Sequence, residues 1–323
     1  MSRRPHPLPT PLVGEYLSTA QALSAGLSRD RLRRADLEHP FRGVIATRPV
    51  TTTVDRAWAY AQVMHPEAWF SNTTAAVLRG LGVPRALERS PIHVTVPVGV
   101  RSPRGLNVRG HQRDIEAPAS DSLLLPLSSG ELVPLRVATL GATALTCATQ
   151  LVHADVVALI DAARLTNEAA TLADIDRMLD RSARRAGAAA LRRARLQSRA
   201  GVRSRSESHL RVLLAQAGFP EPEVAPSVTT PLGELHPDLA WPQFRVLVEY
   251  EGRGHRTDSR VFANDLQRFD AFADADWSTV RCVSDDLYVD STRVLESLAR
   301  RLRSRGWHPT RPLRLGIPPV AVP

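Results

Sequence analysis

The chain has 323 residues, 43% of them hydrophobic and 5% aromatic, with a formal net charge of +9. That length holds two or three domains with packed cores, the charge favours a polyanionic partner, and no apolar run of about 18 residues suggests a membrane span. All 42 basic residues are arginine, and the two cysteines, Cys147 and Cys282, have no metal-ligand spacing, which fits a reduced cytoplasmic protein.

Residues 1–11 are Pro-rich and basic without an apolar core. They read as a flexible lead and not as a secretory signal. Residues 12–50 follow with a short helix that Ser18 or Thr19 can cap and Gly26 can end. Ser28 caps a second helix expected over Arg29–Ala35, and Phe41–Ala46 reads as a short wing strand. Helix, glycine turn and capped second helix make a helix-turn-helix layout. Arg29, Arg31, Arg33 and Arg34 decorate the second helix and Arg42 the wing, where DNA contacts would lie; the alternative is a small helical pair with solvated arginines. With Gly26-Leu27-Ser28 at the turn and Arg42-Gly43-Val44 at the wing, this stretch resembles the N-terminal winged helix of AbiEi-type antitoxins of type IV toxin–antitoxin systems. The resemblance implies DNA binding and a toxin protein as partner.

Residues 51–140 read as an α+β extension, similar to the one that follows the winged helix in AbiEi-like proteins. Trp58, Trp69 and Phe70 are expected in the core, and Ser71–Thr74 is expected to cap a helix running to Gly80. Pro91–Pro97, Leu106–Gln112 and residues 131–139 read as strands. His93, His111 and His153 stand isolated and are assigned no role. Residues 141–203 read as a helical connector. Ten arginines lie between Arg177 and Arg205, either a solvated face or a stripe along a DNA backbone.

In residues 204–305, Ser204 and Glu207 have capping-box spacing. A strand is expected over Glu223–Thr230, then one from Asp238 to Trp241, a turn over Trp-Pro-Gln-Phe, and a strand through Val246–Glu251. Side chains alternate faces along a strand, so Leu247, Glu249 and Glu251 share one face, which Asp238 on the neighbouring strand can reach. A carboxylate inside Val-Leu-Val needs a reason, and carboxylates gathered at a strand end need a cation, commonly Mg2+. A helix from Asp258 or Ser259, a strand over Ser278–Val283 and a last helix over Val294–Leu302 complete this region. Residues 306–323 form a Pro-rich tail.

Glu207 in Ser-Glu-Ser-His-Leu, Asp238 in Pro-Asp, Glu249 in Val-Glu-Tyr-Glu-Gly, then His255, Asp265 and Arg268 resemble the PD-(D/E)xK nuclease superfamily, in particular its domains related to very-short-patch-repair endonucleases. The resemblance covers roughly residues 200–305. It implies a restriction-endonuclease-like α/β sandwich with a mixed sheet and a Mg2+- or Mn2+-dependent cut of a DNA phosphodiester bond. Asp238 and Glu249 would hold the metal, with Glu251 or the Tyr250 carbonyl assisting. His255 would act as a base or hold a phosphate, Arg268 would steady the scissile phosphate, and Glu207 would lie near the metal if it does not merely cap its helix. Glu251 occupies the position at which the superfamily usually carries lysine. The rival reading is a non-catalytic antitoxin or transcriptional regulator.

Overall fold

The structure, a computed structural model, describes residues 7–114, 119–252, 259–318 and 320, and over 259–265 the backbone alone. The fold is α/β with mixed sheets, divided into two units, Met1–Cys147 and Ala148–Pro323.

The first unit begins with strand β1 (Tyr16–Ser18) and helix α1 (Thr19–Ser24). Ser18 caps α1 reciprocally: its hydroxyl accepts from the Gln21 N–H at 3.2 Å, and Gln21 Oε1 accepts from the Ser18 N–H at 2.7 Å. Gly26 takes a φ of 87°, which a glycine adopts without steric cost. Ser28 then caps α2, but this helix spans only Arg29–Leu32 and does not reach Ala35. The chain must turn after Leu32 because Leu32 and Leu37 both enter one small core with Leu12, Ala22, Leu27 and Ile45. Arg31 closes that turn with two hydrogen bonds to Asp36, at 2.9 and 2.7 Å. It is 9% exposed and faces inward, away from the DNA-contact role expected of it, whereas Arg29, Arg33, Arg34 and Arg42 are exposed. Strand β2 (Val44–Ala46) pairs antiparallel with β1, Tyr16 opposite Ala46, so it closes back on the start of the unit.

Helix α3 (Thr53–Ala61) leads to a six-stranded mixed sheet. Its elements are β3 (Trp69–Phe70), α4 (Asn72–Leu78), α5 (Arg85–Glu88), β4 (Ile92–Pro97), β5 (Arg104–Gly105), β6 (Val108–Arg113), β7 (Ser120–Pro126), β8 (Leu132–Ala138) and α6 (Leu140–Cys147). The strand order is β5-β6-β4-β3-β8-β7, with β4–β6 and β3–β8 parallel. Trp69 and Phe70 are in the core as expected, but as a strand. β8 buries Val133, Leu135 and Val137 and exposes the residues between, the mark of a strand covered on one face. β7 escaped the sequence reading because its Leu-Leu-Leu run hides the period of two; Leu124 is exposed.

His93 on β4 and His111 on β6 hydrogen-bond ring to ring, Nδ1 to Nε2 at 2.9 Å. Burial, then the neighbouring His111 and Arg109, lowers His93 to about 4, and burial lowers His111 as well. A histidine depressed in the folded state stabilises fully above its unfolded value, near 6.5, and loses that contribution as pH falls toward the folded one. Between pH 7 and 4.5 the first unit is expected to lose about 2 kcal/mol through His93. Urea unfolding at both pH values checks this. A His93→Gln variant with the same pH slope as the wild type would refute the assignment.

The second unit opens with four helices: α7 (His153–Thr166), α8 (Glu168–Arg181), α9 (Ala188–Gln197) and α10 (Arg205–Ala217). Helix α7 packs on α10 as well as on α8 and α9, within one unit. Buried polar contacts join these helices. Asp155 Oδ1 lies 2.7 Å from His209 Nε2 and accepts from Arg205 Nε at 2.7 Å. Asp161 accepts from Arg211 Nη2 at 2.9 Å, the Ser208 hydroxyl at 2.8 Å and the Arg199 N–H at 2.7 Å. Part of the expected basic stripe therefore faces acids: Arg177 meets Asp174, Arg195 meets Asp176 and Arg199 meets Glu221. Arg181, Arg184, Arg192 and Arg193 remain exposed.

The chain then builds strands β9 (Glu223–Val224), β10 (Val228–Thr230), β11 (Gly233–Leu235), β12 (Leu239–Trp241) and β13 (Val246–Glu251). The single strand expected over Glu223–Thr230 is two. Ala225 takes a φ of 46° and Pro226 has no N–H for a ladder, so β9 pairs with β12 while β10 pairs with β11. Helix α11 (Ser259–Asp274) crosses over to β14 (Ser278–Val283), parallel to β13. Helices α12 (Ser284–Tyr288) and α13 (Thr292–Ser304) follow. The main sheet runs β14-β13-β12-β9. Ala240 and Leu247 on one face pack against Phe272 of α11, while α10 and α13 also pack on β13. Val246, Leu247 and Val248 are all buried, as a strand covered on both faces requires.

Candidate active site

Strands β12 and β13 set the site. Their antiparallel ladder pairs Trp241 with Val246, Ala240 with Leu247 and Leu239 with Val248. One step beyond the last pair, Asp238 stands opposite Glu249, and directly opposed residues project to the same face. Pro237 cannot extend the ladder as a donor. The Asp238 side chain takes the Tyr250 N–H instead, Oδ2 accepting at 2.7 Å. Burial pushes the Asp238 carboxyl up to about 6, and the charge of Glu207 adds to the rise. The Tyr250 N–H, Arg268 and Arg203 act the other way.

Glu249 is 9% exposed. A carboxylate buried there needs compensation, and α11, laid across this face by the β13–α11–β14 crossover, supplies it. Arg268 donates to Glu249 Oε1 from Nη2 at 2.8 Å and from Nε at 3.2 Å. Its Nη2 also donates to the His236 carbonyl at 2.5 Å, and its guanidinium lies over the Phe272 ring, 5.1 Å from the centroid.

Glu251, expected to assist in metal binding, forms a fork with Arg281 of β14: Nη2 donates to Oε2 at 2.7 Å and Nε donates to Oε1. Arg281 in turn lies over Phe269. Ser204 caps the helix, its Oγ accepting from the Glu207 N–H at 3.2 Å, and the Glu207 side chain adds to that end, its Oε2 accepting from the Arg203 N–H at 2.9 Å. Its charge also reaches Asp238. Capping and proximity to the carboxylate pair therefore coexist. His255 lies outside the described residues, as does the Asp265 side chain.

The structure thus brings together Asp238, Glu249, Arg268 and, through its charge, Glu207. It ties Glu251 to the neighbouring strand. The sequence reading missed Arg281, whose partnership follows from the parallel register that sets Glu249 beside it. It also missed the ionic cluster beneath α10. A signal for that was present: Asp155 and Asp161 interrupt an apolar run on α7, and His209 and Arg211 interrupt another on α10.

No family model matches the chain. Two proteins of Mycobacterium tuberculosis, from strains CDC 1551 / Oshkosh and H37Rv and each named an uncharacterized protein, are 28% identical to it over 231 residues, covering 71% of this chain and 79% of each relative.

Among the described residues no group of three or more His, Cys, Asp or Glu is arranged to hold a metal ion. Two opposed carboxylates are nevertheless what Mg2+ takes from a protein when waters and substrate phosphate oxygens complete its shell. Asp238 fits that use. It is a buried carboxylate paired with a backbone N–H, and burial raises its pKa.

Proposed function

We propose that the chain binds DNA and that its second unit hydrolyses phosphodiester bonds with Mg2+ or Mn2+. The observation that carries this reading is the opposed pair Asp238 and Glu249, on one face of a mixed sheet beneath a crossover helix that presents Arg268. Bound by Asp238 and Glu249, Mg2+ would supply positive charge to the phosphate and acidify a water. Arg268 would steady the phosphate through its planar fork of donors. Glu207 adds negative charge beside Asp238, and Glu251 with Arg281 braces the end of β13 against β14. His255 is the proposed base. The exposed Arg29, Arg33, Arg34 and Arg42 of the first unit would hold the DNA backbone. The place of action is the cytoplasm, consistent with two buried free cysteines. Among the described residues no helix is long and apolar enough to cross a membrane.

One observation favours the alternative of a non-catalytic antitoxin or transcriptional regulator with a toxin partner: Glu249 and Glu251 are each already paired with an arginine. Cleavage of labelled single- and double-stranded DNA and of RNA, with Mg2+ or Mn2+, separates the readings. The expected result is metal-dependent cutting of DNA by the wild type and background levels for Asp238→Ala. Cutting that survives the substitution would place the site elsewhere. Salt-sensitive binding without cutting would select the alternative.

A further inference from the structure

We infer that Arg268 is a stand-in cation, holding Glu249 in the place a divalent cation takes, so that metal entry requires its guanidinium to swing off Glu249. This inference rests on the nuclease reading. Glu249 sits on a strand whose preceding residues, Val246, Leu247 and Val248, are fully buried. A carboxylate there without a positive partner costs several kcal/mol, so it must be compensated in the metal-free protein too. Arg268 does this from one side. Both of its contacting nitrogens converge on the single oxygen Oε1, and its third contact is a backbone carbonyl, His236 O. Carboxylate and carbonyl oxygens are the ligands hard divalent cations prefer.

The guanidinium lies over Phe272, which is wholly buried, while the Arg268 side chain as a whole is 30% exposed and so borders solvent. Arg281 provides the contrast, engaging both oxygens of Glu251. Asp238 and Glu249 stand opposed as two carboxylates, and around Asp238 Glu207 adds negative charge while Arg268 and Arg203 add positive charge. Arg268 would leave Glu249 if a divalent cation bound the pair, and an incoming phosphate would give the freed guanidinium a new anion. Arg268 therefore opposes metal binding in the free protein and joins the phosphate once nucleic acid arrives.

The test is Mn2+ binding to the full chain without nucleic acid, followed by the electron paramagnetic resonance of free Mn2+. Arg268→Ala is expected to bind Mn2+ about tenfold more tightly than the wild type, the scale of one charge-assisted hydrogen bond. Glu249→Gln is expected to lose the binding. Circular dichroism melts establish that each variant is folded. Should Arg268→Ala not fold, Arg268→Lys, which keeps the charge but not the fork, is expected to bind more tightly than the wild type by a smaller factor. Equal or weaker Mn2+ affinity in the Arg268 variant, with binding still dependent on Glu249, would overturn this inference and leave the nuclease reading standing. No Mn2+ binding by wild type or variant would overturn this inference, and the nuclease reading would then stand or fall on metal-dependent cleavage of DNA.

Discussion

Asp161→Ala is expected to cost the second unit about 3–5 kcal/mol, the scale of breaking a buried ion pair from one side. Asp161 is 1% exposed and its partner Arg211 is 2% exposed. Burial pushes the Asp161 carboxyl up, and Arg211, the Arg199 N–H and the Ser208 hydroxyl oppose that shift. Truncation leaves the Arg211 guanidinium with the Gln197 carbonyl at 2.6 Å and a more distant acid, Glu221, at 3.6 Å. It also frees the Ser208 hydroxyl and the Arg199 amide in the packed seam between α7 and α10. Urea unfolding followed by tryptophan fluorescence, in a background where Trp241, fully buried in this unit, is the tryptophan retained, reads the loss. The double variant Asp161→Ala/Arg211→Met is expected to recover part of the deficit, because it removes the stranded charge. A single variant within about 1 kcal/mol of the wild type would mean that the seam is held by its apolar contacts alone.

Asp55→Ala is expected to cost the first unit about 3–4 kcal/mol, through three amides left without acceptors at about 1 kcal/mol or more each. Asp55 is wholly buried. Its Oδ2 accepts from the Thr52 N–H at 2.9 Å and from the Thr51 N–H and hydroxyl at 3.3 and 3.0 Å, closing the N-terminus of α3. Its Oδ1 accepts from the N–H and hydroxyl of Ser128, both at 3.0 Å, and so fastens the turn between β7 and β8 to that helix. Asp55→Asn should be nearly as harmful as alanine, because an amide presents donors on one side to groups that are themselves donors. Burial raises the Asp55 carboxyl, but the N–H groups of Ser128 and Thr52 outweigh it and hold it well below the usual range. An acid depressed in the folded state stabilises above its unfolded value, near 4, and loses that contribution only as pH falls further. The loss assigned to His93 lies at higher pH, so the two can be told apart in one titration. An Asp55→Asn variant as stable as the wild type would sink the account.

Much of the local structure was legible in the residues. Ser18, Ser28 and Ser204 mark helix starts because a hydroxyl before a helix can satisfy an orphan N–H, and each of them does so. The turn over Trp-Pro-Gln-Phe and the alternation through Val246–Glu251 set two strands side by side with Glu249 and Glu251 on one face. From that pattern the Asp238–Glu249 juxtaposition could be anticipated, because antiparallel strands joined by a short turn have little freedom of register.

What escaped was whatever depends on partners distant in the chain. The length of α2 was decided by Leu37 entering the same core as Leu32, and Arg31 turned inward to Asp36 as a consequence. The packing of α7 on α10 joins Asp155 to His209 by a hydrogen bond and Asp161 to Arg211 by an ion pair, some fifty residues on. The pairing of Glu251 with Arg281 needed the parallel register of β13 and β14, which a crossover helix sets and no local spacing reveals. The sequence by itself determined the caps, the turns and the face on which the carboxylates stand, since these depend on neighbours within a few residues. Only the tertiary structure decided which arginine compensates which carboxylate, because a buried charge is satisfied by whatever the packing of distant elements brings beside it.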